Sequence, residues 1–280
     1  MFGNAFQIAK VRGIPIRVHF TLLIVLPIFG YYFAEAFSAH PLSWGMLAAV
    51  TLFISVALHE LGHSFVAIAK GFPVRDIILL PIGGIASLAR FPERPRDEFW
   101  VAIAGPLVSL ALAGCLFVPG LDGYREEASD FARFSLLMSE INFSLFLFNL
   151  LPAFPMDGGR ILRAALTGRK GRLAATRIAA RFGKILAIII GILGWHYGAP
   201  LSVVIAVFIF FLARAEYRQV QMQELRHQPP PVFQWMWSNV QRPPQHPPPA
   251  EPADNEVIIS PPPWQRKGST HTEATPLDEP

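Results

Sequence analysis

Two histidines and a glutamate in the run His59-Glu60-Leu61-Gly62-His63 have the types and spacing of a hydrolytic metal site. On an α-helix, residues four apart differ by roughly 40° in azimuth and about 6 Å in rise, so His59 and His63 can reach one ion from the same face. Zinc suits two imidazoles, and it lowers the pKa of a bound water to about 7, which supplies a nucleophile at neutral pH. Glu60, one position along, can hydrogen-bond that water and take its proton. The bland alternative is a chance pentapeptide. The surroundings weaken it: the motif sits in an otherwise uncharged run from Leu47 to Phe65. An ionisable residue in a spanning helix costs roughly a few kcal/mol to insert, so such residues mark a functional interior.

The elements that must carry these residues are membrane helices. Hydrophobic residues make up 52% of the 280 and charged residues 16%, with mean hydropathy +0.38, which is more apolar than a soluble domain of this length needs. The one cysteine, Cys115, excludes an intramolecular disulfide and a Cys-based zinc site. Lys10, Arg12 and Arg17 precede an apolar segment, as in a signal peptide, but the segment is long enough to span and no small-residue cleavage site closes it, so it reads as a retained first helix. Runs near the roughly 20 residues a bilayer requires predict six spans, at about 18–38, 45–69, 98–119, 134–151, 183–197 and 200–215. With the N-terminus inside, and with Lys184 and Arg214 at the inner ends of the fifth and sixth spans counted with the segments they adjoin, the inner segments hold 3, 5, 8 and 6 Lys and Arg and the outer loops 0, 2 and 0. That bias puts both termini in the cytoplasm. The net charge of +4 reflects the same bias and does not argue for nucleic-acid binding.

Catalytic zinc usually takes three protein ligands and keeps a position open. The best third candidate is Asp157, in Asn149-Leu-Leu-Pro152-Ala-Phe-Pro155-Met-Asp157-Gly158-Gly159-Arg160. Pro152 and Pro155 stop the fourth helix from continuing regularly, and a broken backbone at membrane depth is tolerated only where protein or a wet cavity covers it. By topology the fourth span runs inward, so Asp157 can meet His59 and His63 near the cytoplasmic side. The competing reading of Asp157 is a helix-terminating turn residue.

With these residues in place, the chain resembles the site-2 protease family of intramembrane zinc metalloproteases. The resemblance rests on His59-Glu60-x-x-His63 and on Asn149-x-x-Pro152-x-x-Pro155-x-Asp157-Gly158, with Gly83-Gly84 and Gly105-Pro106 also similar, and it covers about residues 5–216. It implies cleavage of peptide bonds within or beside a transmembrane segment of a membrane-anchored protein, commonly after an earlier cut. It also implies that His59, His63 and Asp157 ligate one zinc ion, that Glu60 activates water, and that Asn149 helps hold substrate or the developing oxyanion.

Between the second and third spans, Ile77–Ile82 and Ile85–Leu88 read as two extended runs joined at Gly83-Gly84, a re-entrant β-hairpin in an otherwise all-α polytopic membrane protein. Its free edge could pair with an unwound substrate by strand addition, with Gly83 and Gly84 against the substrate. The plainer reading is an amphipathic connector. Gly105, Ser109 and Ala113, four apart, look like a helix-packing face and not chemistry. Glu140 and Asn142 suit interior hydrogen bonding. The cluster Arg160, Arg163, Arg169, Lys170, Arg172 and Arg177 reads most simply as an inner-surface anchor to anionic lipid.

Residues 1–227 thus form the predicted membrane domain. Residues 228–280 hold 14 of the 26 prolines and should form a disordered, partly polyproline cytoplasmic tail, whose Phe233, Trp235 and Trp237 could rest at the membrane interface or bind a partner protein. The compact form points to a bacterial cell membrane. Two other classes compete: a zinc or cation transporter, which needs no Glu directly after the first His and leaves the missing repeats unexplained, and an inactive relative that only binds membrane partners, against which every catalytic group is present.

Overall fold

The computed structural model of the chain describes residues 5–81, 83–88, 92, 94–125 and 127–227. The expected tail at 228–280, with its aromatic patch, lies outside the described residues. In chain order the elements are β1 (Ala5–Val11), β2 (Ile14–His19), α1 (Phe20–Ala34), α2 (Pro41–Ala69), β3 (Val74–Leu80), β4 (Gly83–Leu88), α3 (Pro95–Gly120), α4 (Asp130–Leu150), α5 (Asp157–Lys170), α6 (Arg172–His196) and α7 (Pro200–His227). Local chemistry sets the boundaries. Pro41 and Pro95 occupy the first turn of α2 and α3, where a missing N–H costs nothing. The Ser129 hydroxyl caps α4 by accepting the Ala132 N–H at 3.2 Å. The Asp130 carboxylate accepts the N–H groups of Ser38 and Ala39 at 2.9 and 2.8 Å, tying the α1–α2 connection to the start of α4.

Four helices, α2, α3, α4 and α6, are long and apolar enough to cross a membrane. At most 39% of the apolar stretch of any of them is buried inside the protein, so Ile54, Phe117, Phe143 and Ile189 point outward. Apolar surface of that extent suits lipid and not water. These helices carry the second to fifth expected spans. The first is shorter than expected: α1 covers 15 residues, or about 22 Å against a hydrocarbon core of about 30 Å, because Val18 and His19 belong to a strand and the helix ends at Ala34, four residues before the expected limit. The sixth run forms the first part of the longer α7.

The expected hairpin is half of a larger structure. The strands form one four-stranded sheet in the order β1-β2-β3-β4, so the chain is mostly helical and not all-α with a lone hairpin. β1 and β2 turn at Arg12-Gly13, both with positive φ (47° and 90°), the conformation a two-residue hairpin favours. β2 then runs parallel to β3, pairing Ile16 with Ile77 and Val18 with Leu79. The alternation of Ile14, Ile16 and Val18 with Pro15, Arg17 and His19 explains this: the first three are buried against Leu22, Phe53, Val56, Leu61, Ile77 and Leu79. The β3–β4 junction also moves. Gly83 and Gly84 open β4, where Gly84 pairs with Leu79, and do not form the turn.

Candidate metal centre

One turn of α2 separates His59 from His63, and both rings are buried, 4% and 8% exposed. Their Nε2 atoms lie 3.2 Å apart. Asp157 Oδ2, from the first residue of α5, stands 3.2 Å from the His59 Nε2 and 3.0 Å from the His63 Nε2. Among the described residues these three form the group able to hold a metal ion.

The orientation of each ring comes from α3. The Val101 carbonyl lies 2.7 Å from His63 Nδ1. A carbonyl only accepts, so Nδ1 carries a proton and Nε2 is left facing inward toward Asp157. Ser109 Oγ makes the corresponding contact with His59 Nδ1 at 2.9 Å. Two imidazole nitrogens and a carboxylate oxygen thus converge, and with both rings neutral they form a donor set that a cation would satisfy. The spacing fits zinc: bonds of about 2.0 Å to a tetrahedral ion put ligand atoms about 3.3 Å apart. The nitrogen and oxygen donors are of the type zinc takes, and hydrogen bonds on the far ring nitrogens are the usual support of metal-binding histidines.

Ser109 therefore belongs to the site, and so does Gly105. A Cβ built on Gly105 would stand 2.2 Å from His63 Nε2 and 2.8 Å from His59 Nε2. The Gly105–Ser109–Ala113 stripe does pack helices, as at Ala113, whose carbonyl accepts the Ser139 hydroxyl at 2.8 Å, but its first two members face the imidazoles. The signal was in the spacing: Gly105 and Ser109 repeat the four-residue interval of His59 and His63 on a facing helix.

Asp157 reaches the site because the segment 151–156 turns back on itself. Ala153 N–H bonds to the Leu151 carbonyl at 2.7 Å, Met156 N–H to that of Ala153 at 3.0 Å, and Phe154 N–H to that of Ala179 on α6 at 3.3 Å. A Cβ on Gly158 would lie 2.2 Å from the Leu151 carbonyl oxygen, so the turn and the helix start can approach this closely only through glycine.

Glu60 flanks the ligands on α2. A Cβ on Gly84 would stand 2.5 Å from the Glu60 Cγ, so β4 lies directly against the glutamate stem. Gly83, with φ 137°, has open space where a Cβ would be. Asn149, near the end of α4, donates from Nδ2 to the Leu145 carbonyl of its own helix at 3.0 Å, and it is not part of the converging set. Asn142 is fully buried and donates to Ser55 Oγ at 3.1 Å and to the Met138 carbonyl at 2.8 Å, the interior role expected of it.

The basic cluster differs from a plain lipid anchor. Arg163 is 4% exposed; its Nε donates to Glu98 Oε1 at 2.6 Å and its Nη1 to Glu216 Oε1 at 3.1 Å. Arg172 donates to the Pro92 carbonyl and Arg177 to the Tyr217 hydroxyl. Burial works against the charge on Arg160, but Glu216, Asp157, Glu98 and Glu60 more than offset it and hold its proton more firmly than usual.

A sequence profile of Peptidase family M50 matches residues 47–123 and 122–193. A zinc metalloprotease of Methanocaldococcus jannaschii is 37% identical over 227 residues, 79% of this chain and 63% of that protein. Stage IV sporulation protein FB of Bacillus subtilis is 30% identical over 196 residues, 64% of this chain and 65% of its own. The chain thus spans less than two thirds of the length of either relative. The solved structure of a site-2 protease from M. jannaschii superposes with a TM-score of 0.56 at 37% identity, covering 76% of this chain and 95% of that one.

Proposed function

The chain belongs to Peptidase family M50, and from that premise we propose that it is an intramembrane zinc metalloprotease. Its substrates are membrane-anchored proteins, cut within or beside a transmembrane segment. One observation carries the reading: His59, His63 and Asp157 present three donor atoms at 3.0–3.2 Å spacing, with Glu60 next to the first of them, inside a bundle of membrane-length helices.

In this reading His59 Nε2, His63 Nε2 and Asp157 Oδ2 hold one zinc ion per chain. Zinc at such a site supplies Lewis acidity and a water acidic enough to lose a proton near neutral pH. With the ion bound, the Glu60 carboxylate would serve as the base for the water and return the proton to the departing amine. The Val101 carbonyl keeps the proton of His63 on Nδ1, and the Ser109 hydroxyl can accept from His59 Nδ1 in the same way, which leaves both Nε2 atoms to the ion. β4 is an outer strand of the sheet, and Gly84 brings it onto Glu60. A substrate segment that adds to β4 as an extended strand carries its backbone toward the site, which a helix would hide. Gly83 and Gly84 then border the substrate, and Asn149 supplies an amide at the cytoplasmic end of α4.

The topology is six spans with both ends cytoplasmic in a bacterial cell membrane, residues 1–227 forming the protease domain and 228–280 a separate proline-rich tail. The charge bias of the sequence supports this, and in this reading α1, although only 15 residues long, and the first part of α7 take the first and sixth places. Glu60→Gln tests the activity. Purified protein with this change is expected to keep its zinc and lose cleavage of a transmembrane test substrate by about 100-fold or more. Unchanged cleavage, or zinc flux in proteoliposomes that persists in the variant, would overturn the reading.

A further inference from the structure

We propose that Arg163, braced between Glu98 and Glu216, is a positioning residue for the metal ligand Asp157, so that α7 shares control of the metal site. The proposal rests on the zinc-site reading above.

Four parts of the chain meet at this guanidinium. Its Nε and Nη2 both engage Glu98 Oε1 on the first turn of α3. Glu98 sits three residues before Val101, whose carbonyl fixes His63. Its Nη1 donates to Glu216 of α7 at 3.1 Å. Its Cζ stands 4.9 Å over the ring of Phe154, which lies in the turn that delivers Asp157 three residues later. Arg163 itself is on α5, the helix that Asp157 opens. One planar group therefore ties the helix that orients His63, the turn and helix that present Asp157, and α7. The first turn of α3 is pinned from its other side as well, since Lys70 at the end of α2 pairs with Asp97 at 3.2 Å.

Stability alone is a poor account of such a cluster. Buried ion pairs gain little over apolar packing of the same volume, because desolvating the charges offsets their attraction. What they supply is direction: a guanidinium fork accepts carboxylates only in set orientations, which apolar contacts do not impose. Metal ligation needs that precision, since ligand distances are held within about 0.2 Å. Phe154 and Asp157 have no regular helix before them, and Arg163 adds a side-chain brace to the backbone bonds that hold the turn.

The test uses the full chain in detergent, loaded with cobalt(II) as the probe. Chelator competition gives the affinity, and visible d–d absorption reports the ligand field. Arg163→Lys keeps the charge but loses the fork; Glu216→Gln keeps a hydrogen-bond acceptor but loses the charge, at a side chain 25% exposed and thus tolerant of change. Both are expected to bind cobalt about 10- to 100-fold more weakly than wild type, the usual effect of losing outer support of a metal site, with altered visible bands and unchanged far-UV circular dichroism. Arg125→Met, in an exposed pair with Asp122, should match wild type. A folded Arg163→Lys or Glu216→Gln protein that binds within twofold of wild type with the same spectrum overturns the proposal. If the lysine variant does not fold, Glu216→Gln decides alone. A wild-type protein that binds no cobalt overturns the zinc-site reading instead.

Discussion

Replacing Gly105 by alanine adds one methyl group where the site has no room for it. The new carbon would stand 2.2 Å from His63 Nε2, 2.5 Å from its Cε1 and 2.8 Å from His59 Nε2, whereas ordinary contact begins at 3.4 Å. A ring or the α3 backbone must therefore withdraw by about 1.2 Å, several times the roughly 0.2 Å that ligand distances tolerate. The rings cannot swing aside freely, because Val101 and Ser109 hold their Nδ1 atoms at 2.7 and 2.9 Å. A misplacement of about 1 Å costs on the order of 100-fold in rate, and a similar loss of metal affinity corresponds to about 2.7 kcal/mol. Helix propensity works the other way, since alanine favours a helix over glycine by up to about 1 kcal/mol. The expected product is a folded, metal-poor protein. Elemental analysis of purified Gly105→Ala, thermal unfolding and cleavage of a transmembrane test substrate measure the three quantities. One zinc per chain together with wild-type cleavage would refute the reasoning.

Ser109→Ala removes the partner of His59 Nδ1, and zinc affinity should fall about 10- to 100-fold in chelator competition. Gly84→Val places a side chain against the Glu60 stem, with its Cβ 2.5 Å from Cγ; cleavage should drop by about 10-fold or more while zinc content stays at the wild-type level. Dialysis against a strong chelator should abolish cleavage, and stoichiometric zinc should restore it. Ser55→Ala leaves the buried Asn142 amide short of a partner, and thermal denaturation should register a loss of about 1–3 kcal/mol.

The convergence of His59, His63 and Asp157 was legible because it depends on local rules. A spacing of four places two imidazoles on one helix face whatever the rest of the fold does, and two prolines followed by glycines mark a helix break near Asp157 on their own chemistry. The second to fifth membrane helices were legible from apolar length. The sheet was not, although Ile14-Pro15-Ile16-Arg17-Val18-His19 alternates like a half-buried strand. With Lys10, Arg12 and Arg17 it reads as the basic flank of a retained first helix, and a parallel partner some sixty residues away leaves no local mark. Ser109 and Gly105 were read as packing, since small residues at helical spacing serve contact and chemistry alike and only the facing helix decides. Arg163 looked superficial because Glu98 and Glu216, which bury it, come from α3 and α7.

The N-terminal strands have a consequence for handling the protein. β2 occupies the flank of β3 opposite β4, so β3 has strands on both sides and β4 is left as the outer strand beside Glu60. Trimming the chain through His19 would bare the edge of β3 that β2 covers along Ile77–Leu79, an invitation to self-association that native proteins avoid. Such a truncated protein is expected to clump in detergent. Purification tags and fusion partners are therefore better kept away from the first two strands.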